Sequence, residues 1–431
     1  PMLQPLTRLV VFTALASAVF VALPSDAHAE NFRAEIIVSN LNFPVSFREL
    51  PSGPNDFLVV EKFGDIRLIR QGELQEAPVA SFDVAPQGEG GLISIELYPD
   101  FEETGRFLVS YSPEEPLDRF YVSRLELDGD RARVLDDPFI TLDRRPESDI
   151  HYGGNMRFGP DGHLYIGAGD LNRREWAQDT SKTAGSILRY AADGTVPDDN
   201  PFGDDSPVFA YGVRNPFDFD FTSDGRLFAS ENGEDLNDEL NEIQAGENYG
   251  WPLIEGHCDH FPDREPCDES DDFTMPAHEF RTVIGTTGLL VYEGEAMPSL
   301  DNQVLVGDWN TGSVRRFDIG APTEPLERAG ILYTTDDEHS ITDIEQGSDG
   351  SVLVLAPSRE VGKIFRITDA PDDIDPDGSS DEGQSSGDDS STGGCSSTRG
   401  GSLPTLPVAA LGMLVCFGLA RRNRTAPHRG R

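Results

Sequence analysis

The chain has 431 residues and a formal net charge of −43 at pH 7. So large a negative charge excludes nucleic acid as a partner, because a phosphate backbone would be repelled, and it favours divalent cations. The length exceeds that of a typical single domain, although β folds built from repeats reach this size as one unit.

Residues 1–29 have the pattern of a secretory signal peptide. Arg8 supplies the positive n-region, residues 9–23 are almost wholly apolar, and Ala27-His28-Ala29 is a small-x-small cleavage site. A transmembrane anchor is the alternative, but Pro24 and the cleavage triplet favour removal. We therefore expect an exported protein whose mature chain starts near Glu30.

Residues 30–369 repeat one unit, an apolar strand followed by a tight turn and a second, alternating strand. Asp-Gly turns, which favour hairpins, recur at positions 161, 224 and 349, spaced by 63 and then 125 residues. Six such units predict an all-β fold, a six-bladed β-propeller; a β-sandwich would not explain the spacing. The copies cover 57–74, 106–112 with 120–130, 156–170 with 186–194, 219–233, 303–320, and 343–358 with 363–367.

In a propeller, the loops that lead into the inner strands converge at one end of the central axis. Residues in these loops are therefore the candidate functional residues. His151 is followed by Tyr152 and two glycines, and a histidine can act as a base, although a lone loop histidine is often structural. Arg214-Asn215-Pro216 combines a permanent cation with an amide whose backbone Pro216 holds extended; a salt bridge between blades is the alternative. A Gly-rich turn at 87–92 lacks the lysine of a phosphate-binding loop.

Five acids lie within nine residues that start at the end of the fourth repeat: Glu231, Glu234, Asp235, Asp238 and Glu239. They repel one another unless a cation lies among them, and oxygen ligands suit Ca²⁺. The spacing is not that of an EF-hand, and a merely solvated acidic loop is the alternative. Cys258 and Cys267 follow, and in an exported protein they predict a disulfide rather than a metal thiolate site.

The C-terminal segments predict a surface anchor. Residues 370–402 are rich in Asp, Ser and Gly and predict a disordered spacer. Residues 403–420 form an uncharged apolar run long enough for a transmembrane helix, and the basic tail at 421–431 is expected to stay cytoplasmic. The layout also resembles C-terminal surface-sorting tails, in which cleavage would fall near Cys395.

Several motifs in fixed order make the body similar to the soluble glucose/sorbosone dehydrogenases, sugar dehydrogenases that use pyrroloquinoline quinone (PQQ). The motifs are GEGGLISIELYPDF (88–101), HYGGNMRFGPDGHLYIGAGD (151–170), AQDTSKTAGSILRYAADGTVPDDNPF (177–202), GVRNP (212–216) and DELNEIQAGENYGWP (238–252). The family fold is a six-bladed propeller, in agreement with the repeats.

The resemblance implies a role for each matching position. His151 would take the proton of the sugar's anomeric hydroxyl, and Arg214 and Asn215 would contact the quinone, Arg214 stabilising developing charge. The side chain of Glu239 and the carbonyl of Tyr249 would bind Ca²⁺. A sugar substrate and an external electron acceptor are the implied partners, and the oligomeric state stays open.

Some positions differ from the family pattern. Glu89 stands where a glutamine contacts PQQ, and Gly233-Glu234 replaces Gly-Pro. Asn310, Ser340 and Thr342 replace one lysine and two arginines, which removes cations that would balance the three carboxylates of PQQ, and Arg281 and Arg359 are candidates to replace them. Two alternatives therefore stay open: a non-catalytic propeller that binds a protein or glycan, like the similar Hedgehog-interacting proteins, and a calcium-dependent lactonase.

Overall fold

The computed structural model describes residues 32–234, 236–257, 273–335, 340–358 and 361–370. Within these ranges helix is limited to one turn, α1 (Phe101–Thr104), and a 3₁₀ turn (Arg174–Gln178). The strands of the first three blades and the closing strand are β1 (Phe32–Leu41), β2 (Pro44–Glu49), β3 (Phe57–Glu61), β4 (Asp65–Arg70), β5 (Glu73–Leu74), β6 (Ala80–Ser81), β7 (Leu92–Leu97), β8 (Arg106–Tyr111), β9 (Arg119–Asp128), β10 (Arg131–Asp143), β11 (Gly153–Phe158), β12 (Leu164–Ala168), β13 (Ser186–Tyr190) and β14 (Val208–Tyr211).

The later strands complete the chain: β15 (Pro216–Phe221), β16 (Leu227–Glu231), β17 (Asp238–Ile243), β18 (His278–Phe280), β19 (Thr286–Tyr292), β20 (Gln303–Asp308), β21 (Ser313–Asp318), β22 (Glu327–Thr334), β23 (Asp343–Gln346), β24 (Val352–Ala356) and β25 (Gly362–Asp369).

These strands form six antiparallel sheets, and the six-bladed β-propeller predicted from the repeats is confirmed. Each sheet is a run of consecutive strands starting at β2, β7, β11, β15 or β19, except the last, whose order is β1-β25-β24-β23. The first strand of the chain thus pairs with the last, Phe32 opposite Asp369, and this pairing closes the ring. The Asp-Gly pairs connect the first two strands of their blades, where Gly162, Gly225 and Gly350 adopt the positive φ that such turns require.

The second strands of five blades are buried along their whole length. Every residue of β3, β12, β16, β20 and β24 is buried, because neighbouring blades cover both faces of each sheet. One core cluster between blades joins Leu108 and Phe120 to Met156 and Leu164. The hydrophobic core therefore lies between the blades and leaves the propeller axis to polar side chains.

Seven charged residues of the inner strands meet along the axis, and we call them the axial cluster: Arg48, Glu96, Arg157, Asp218, Asp220, Asp343 and Glu345. Arg48 Nε lies 2.7 Å from Glu96 Oε2, and its Nη1 lies 2.7 Å from Glu345 Oε1. Arg157 Nη2 lies 3.1 Å from the same Glu345 oxygen. Side chains from blades far apart in sequence therefore share charges across the axis.

Carboxylates of the axial cluster also bind the free backbone edge of the next blade. Asp218 accepts a hydrogen bond from Leu289 N at 2.8 Å, and Asp343 accepts one from Phe47 N at 3.0 Å. Innermost strands have no further strand to pair with, so these side chains satisfy N–H groups that would otherwise be buried without a partner. The first bond connects the fourth blade to the fifth, and the second connects the last blade to the first.

Candidate functional site

The inner strands β7, β11 and β15 begin at the same end of the propeller, which we call the mouth. Glu89, His151, Arg214 and Asn215 each lie in a loop that directly precedes one of these strands. Because these three inner strands start side by side at the mouth, the four residues come together although they belong to three blades.

The imidazole of His151 is held by Asp170. His151 Nδ1 lies 2.7 Å from Asp170 Oδ1, and both side chains are buried. The two residues meet because Gly153 at the start of β11 pairs with Ala168 at the end of β12. A Cβ on the intervening Gly169 would lie 2.2 Å from the His151 carbonyl oxygen, so a glycine is needed at this close approach.

Asp170 is held as a carboxylate. Trp251 Nε1 donates to its Oδ2 at 2.8 Å, and Asn172 N donates to its Oδ1 at 2.7 Å. Burial alone would raise the pKa of Asp170, but the hydrogen bonds from His151 and Trp251 outweigh it and lower that pKa below its usual range. A carboxylate can only accept, so Nδ1 of His151 carries a proton, and in the neutral imidazole the lone pair is on Nε2. This arrangement suits a general base.

Glu89 connects the loops of the mouth. Its Oε2 accepts a hydrogen bond from His151 N at 2.7 Å and one from Asn215 Nδ2 at 3.4 Å. The side chain is exposed, so its negative charge faces whatever enters the mouth.

Arg214 is fixed by contacts from two directions. Its backbone N donates to the Glu231 carboxylate, and its Nη1 donates to Asn232 O at 2.8 Å. Its guanidinium carbon lies 5.4 Å from the centroid of the Trp251 ring, and its carbonyl accepts a hydrogen bond from Asp170 N at 2.8 Å. The Arg214-Asn215 corner is thereby joined to the His151–Asp170 pair.

Two buried polar atoms at this corner have no hydrogen-bond partner among the described residues: Arg214 Nε and Asn215 Oδ1. A buried polar group without a partner costs about 1–3 kcal/mol. One is a donor and the other an acceptor, and the backbone of this corner is bonded to Asp170, the partner of His151. The corner therefore fits a polar ligand that offers an acceptor to Arg214 Nε and a donor to Asn215 Oδ1.

The predicted calcium ligand Glu239 lies in a row of carboxylates. On β17 it is opposite Glu231 of β16 and Glu279 of β18. Asn241 Nδ2 donates to both Glu231 and Glu239 at 3.1 Å, while the buried Asn241 Oδ1 has no partner among the described residues. Burial, with the charges of Glu255 and Glu279, raises the pKa of Glu239 to about 7. Facing carboxylates and a spare amide oxygen are the donors that Ca²⁺ prefers.

No group of three or more His, Cys, Asp or Glu side chains in the described ranges is arranged to hold a metal ion. The Tyr249 side chain is buried, and its hydroxyl donates to Glu242 O at 2.6 Å. The calcium site on Glu239 and the Tyr249 carbonyl stays a prediction.

The five acids singled out in the sequence do not act as one group. Asp238 accepts hydrogen bonds from the backbone N–H groups of Gly233, Ile284 and Gly285, so backbone donors balance its charge. Glu234 forms an ion pair with Arg174 at the surface. Asp235 lies outside the described residues.

The three positions at which the family pattern has cations are occupied by neutral side chains. Asn310 Nδ2 donates to Val283 O at 3.1 Å, and Ser340 Oγ donates to Trp309 O at 2.8 Å. Thr342 is buried. Arg281 is exposed between β18 and β19.

Several predictions fall outside the described residues: the signal peptide, the Cys258–Cys267 disulfide, Arg359, and the spacer, membrane span and tail after residue 370. In the part of the chain that the structure describes, no helix is both long and apolar enough to span a membrane.

Sequence reasoning missed Asp170, Trp251, Asn241 and Arg174. Asp170 had a signal, because it lies two residues after the end of the buried strand β12, at the mouth. Trp251 lies in a quoted motif, but nothing local shows that its N–H reaches a residue 81 positions earlier.

Comparisons with known proteins agree with this geometry. A family profile described as glucose/sorbosone dehydrogenase matches residues 41–366. Aldose sugar dehydrogenase YliI of Escherichia coli is 28% identical over 374 residues, which cover 84% of this chain and 97% of that protein. Quinoprotein glucose dehydrogenase B of Acinetobacter calcoaceticus is 29% identical over 267 residues, covering 54% of this chain and 55% of its own.

Two further comparisons concern the fold and the partner-binding alternative. The crystal structure of the soluble E. coli aldose sugar dehydrogenase in its apo-form superposes with a TM-score of 0.70 at 26% identity, covering 79% of this chain and 100% of that one. Hedgehog-interacting protein of Mus musculus is 28% identical over 249 residues, which cover 49% of this chain but 34% of that protein.

Proposed function

The chain belongs to the glucose/sorbosone dehydrogenase family, and from that premise we propose that it is an exported sugar dehydrogenase that uses PQQ and Ca²⁺. It oxidises the anomeric hydroxyl of an aldose and passes the electrons to an external acceptor. The signal-peptide pattern of residues 1–29 supports export, and the apolar run at 403–420 supports attachment to a membrane.

The observation that carries this proposal is the His151–Asp170 pair beside the unpartnered Arg214 Nε and Asn215 Oδ1. When bound, PQQ supplies the acceptor for the hydride that leaves the anomeric carbon. His151 Nε2 takes the hydroxyl proton, and the ionised Asp170 stabilises the imidazolium that results. Arg214 places a permanent positive charge where negative charge develops.

Calcium has a supporting role in the proposal. Glu239, with the Tyr249 carbonyl, would hold the ion, and Glu231 and Asn241 lie beside it. Because Glu231 also accepts the backbone N–H of Arg214, an ion at this place would stabilise the corner that contacts the ligand.

The test is reconstitution of the purified chain with PQQ and Ca²⁺, followed by dye reduction with a panel of aldoses. Calorimetric binding of PQQ and aldose-dependent dye reduction are expected. If PQQ does not bind even at high micromolar concentration, the enzyme proposal is wrong.

A second candidate is a non-catalytic propeller that binds a protein or glycan at the cell surface. The neutral Asn310, Ser340 and Thr342 and the added charge of Glu89 favour it, because they weaken the match to an acidic cofactor. In that case a protein or glycan partner would bind equally well to the wild-type chain and to a His151→Asn variant.

A further inference from the structure

Trp251 organises the mouth around its indole ring. The ring is buried, and its N–H binds the Asp170 carboxylate that holds His151. Besides Arg214, the guanidinium of Arg174 lies over this ring, with its carbon 5.2 Å from the centroid. Two cations therefore lie against one aromatic ring, and that ring is hydrogen-bonded directly to the His151–Asp170 pair.

Two other cations near the mouth, Lys62 and Arg145, donate hydrogen bonds to backbone carbonyl oxygens. Lys62 Nζ donates to Gly88 O at 2.8 Å and to Gly90 O at 2.6 Å. Arg145 Nη1 donates to the carbonyl oxygens of Leu171 and Asn172, each at 3.0 Å. These contacts fix the loops of the mouth and leave few donors for a ligand.

Arg174 is different because its ion-pair partner is a single exposed carboxylate. The described residues pair it with Glu234, and the two side chains are 48% and 36% exposed. Exposed ion pairs of this kind contribute roughly 0–1 kcal/mol, so a better-placed anion displaces the partner at little cost. Glu234 also stands in the loop whose Asn232 carbonyl binds Arg214, so both arginines extend toward the same segment.

We propose that Arg174 is the second cation of the cofactor site and binds a carboxylate of the planar quinone. Arg174 and Arg214 both contact the ring of Trp251, so the two cations lie side by side. Glu234 holds the Arg174 side chain in place when no cofactor is bound. This inference rests on the proposed function. A fork of donors held over an indole ring is preorganised for a carboxylate. A second guanidinium also partly replaces the positive charge absent at Asn310, Ser340 and Thr342.

Arg173 provides a matched control on the neighbouring residue. It is 46% exposed, pairs with Glu175 at 3.1 Å and lies 5.7 Å from the ring of Trp176. It has the same charge, exposure and kind of contact as Arg174, but it lies against a different tryptophan. A comparison of the two separates a specific contact from the general effect of removing a positive charge.

The experiment is calorimetric titration of the full chain with PQQ in Ca²⁺ at low ionic strength. Arg174→Gln is expected to weaken binding at least 10-fold, Arg173→Gln less than 2-fold, and Glu234→Gln is expected to tighten it about 3-fold, since the competing carboxylate is gone. Thermal melting checks that all variants are folded, as expected for exposed side chains.

Two results would overturn the inference while leaving the proposed function in place: PQQ affinity unchanged in Arg174→Gln, or equal losses in Arg174→Gln and Arg173→Gln. Failure of the wild-type chain to bind PQQ would instead overturn the proposed function, and the role of Arg174 with it. Aldose-dependent dye reduction by the wild type tests the proposed function independently of the calorimetric titration.

Discussion

The mouth and the axis of the propeller both bury polar side chains, but they satisfy them differently. In the axial cluster, Asp218 and Asp343 bind backbone N–H groups of the next blade, and Arg48 and Arg157 bridge carboxylates across the axis. At the mouth, Arg214 Nε and Asn215 Oδ1 have no partner within the described ranges. Charged groups that bind each other stabilise the ring, whereas Arg214 Nε and Asn215 Oδ1 at the mouth keep unused hydrogen-bonding capacity.

The difference also appears in how charge is balanced. The axial cluster has five carboxylates and two guanidinium groups, so its ionised form has excess negative charge. Burial, with repulsion from Asp343, raises the pKa of Asp218 to about 8. Burial, with repulsion from Glu345, raises the pKa of Asp343 to about 6. At the mouth the paired Asp170 stays ionised, because its donors lower its pKa. The comparison predicts that axial substitutions alter stability and that mouth substitutions alter activity.

The largest effect is expected at His151. Its φ of 59° favours asparagine as the replacement, since asparagine tolerates this conformation and can still donate to Asp170. His151→Asn removes the base and should lower kcat by about 10²–10⁴, measured by dye reduction after reconstitution, with an unchanged melting temperature. His163→Asn, in the β11–β12 turn, is the control and should keep full activity. A His151→Asn enzyme with normal kcat would show that the base lies elsewhere.

The second prediction concerns the axis. Arg48→Met leaves Glu96, Asp343 and Glu345 without a shared cation, and breaking a buried ion pair costs about 3–5 kcal/mol. Urea unfolding should show this loss. Arg133→Met removes an exposed pair with Glu126 and should cost less than about 1 kcal/mol. Equal losses in the two variants would contradict a stabilising role for the axis.

A third prediction tests the pH dependence of the axis. Because the folded pKa of Asp218 is raised above its unfolded value, the folded state binds its proton more tightly, and stability should fall as pH rises from about 4 to about 8. Asp218→Asn removes the charge and can still accept from Leu289 N. It should be more stable than the wild type by at least about 1 kcal/mol at pH 8, with the difference shrinking toward pH 4. Parallel pH profiles for the variant, the wild type and an exposed control, Glu103→Gln, would refute this.

The smallest effect is expected at Glu89. Glu89→Gln keeps an acceptor for His151 N and Asn215 Nδ2 but removes one negative charge from the mouth. The affinity for the acidic cofactor should rise about 5-fold, which corresponds to about 1 kcal/mol. Calorimetric titration with PQQ measures it, and Glu147→Gln, an exposed carboxylate of a neighbouring loop, is the control. Weaker binding by Glu89→Gln would mean that the ligand needs the carboxylate itself.

Strands and turns could be predicted because their signals are local. Alternating apolar residues and Asp-Gly pairs identified six repeats, and the observed sheets contain them. The pairing of β1 with β25 had no such signal, because it joins residues at opposite ends of the body. The loops with His151 and Arg214-Asn215 were also found, since polar residues between predicted strands stand out.

The amino-acid sequence by itself determined the family, the number of blades and which loops carry the candidate site. It did so because alternating strand patterns, turns and motifs each depend on residues that are close together in the sequence. Only the tertiary structure decided the partners: Asp170 for His151, Trp251 for Asp170 and both arginines, and Asp343 for Arg48 at a separation of 295 residues. These pairs depend on which blades become neighbours when the ring closes, and a hydrogen bond or ion pair forms only between side chains that the closed ring brings within reach.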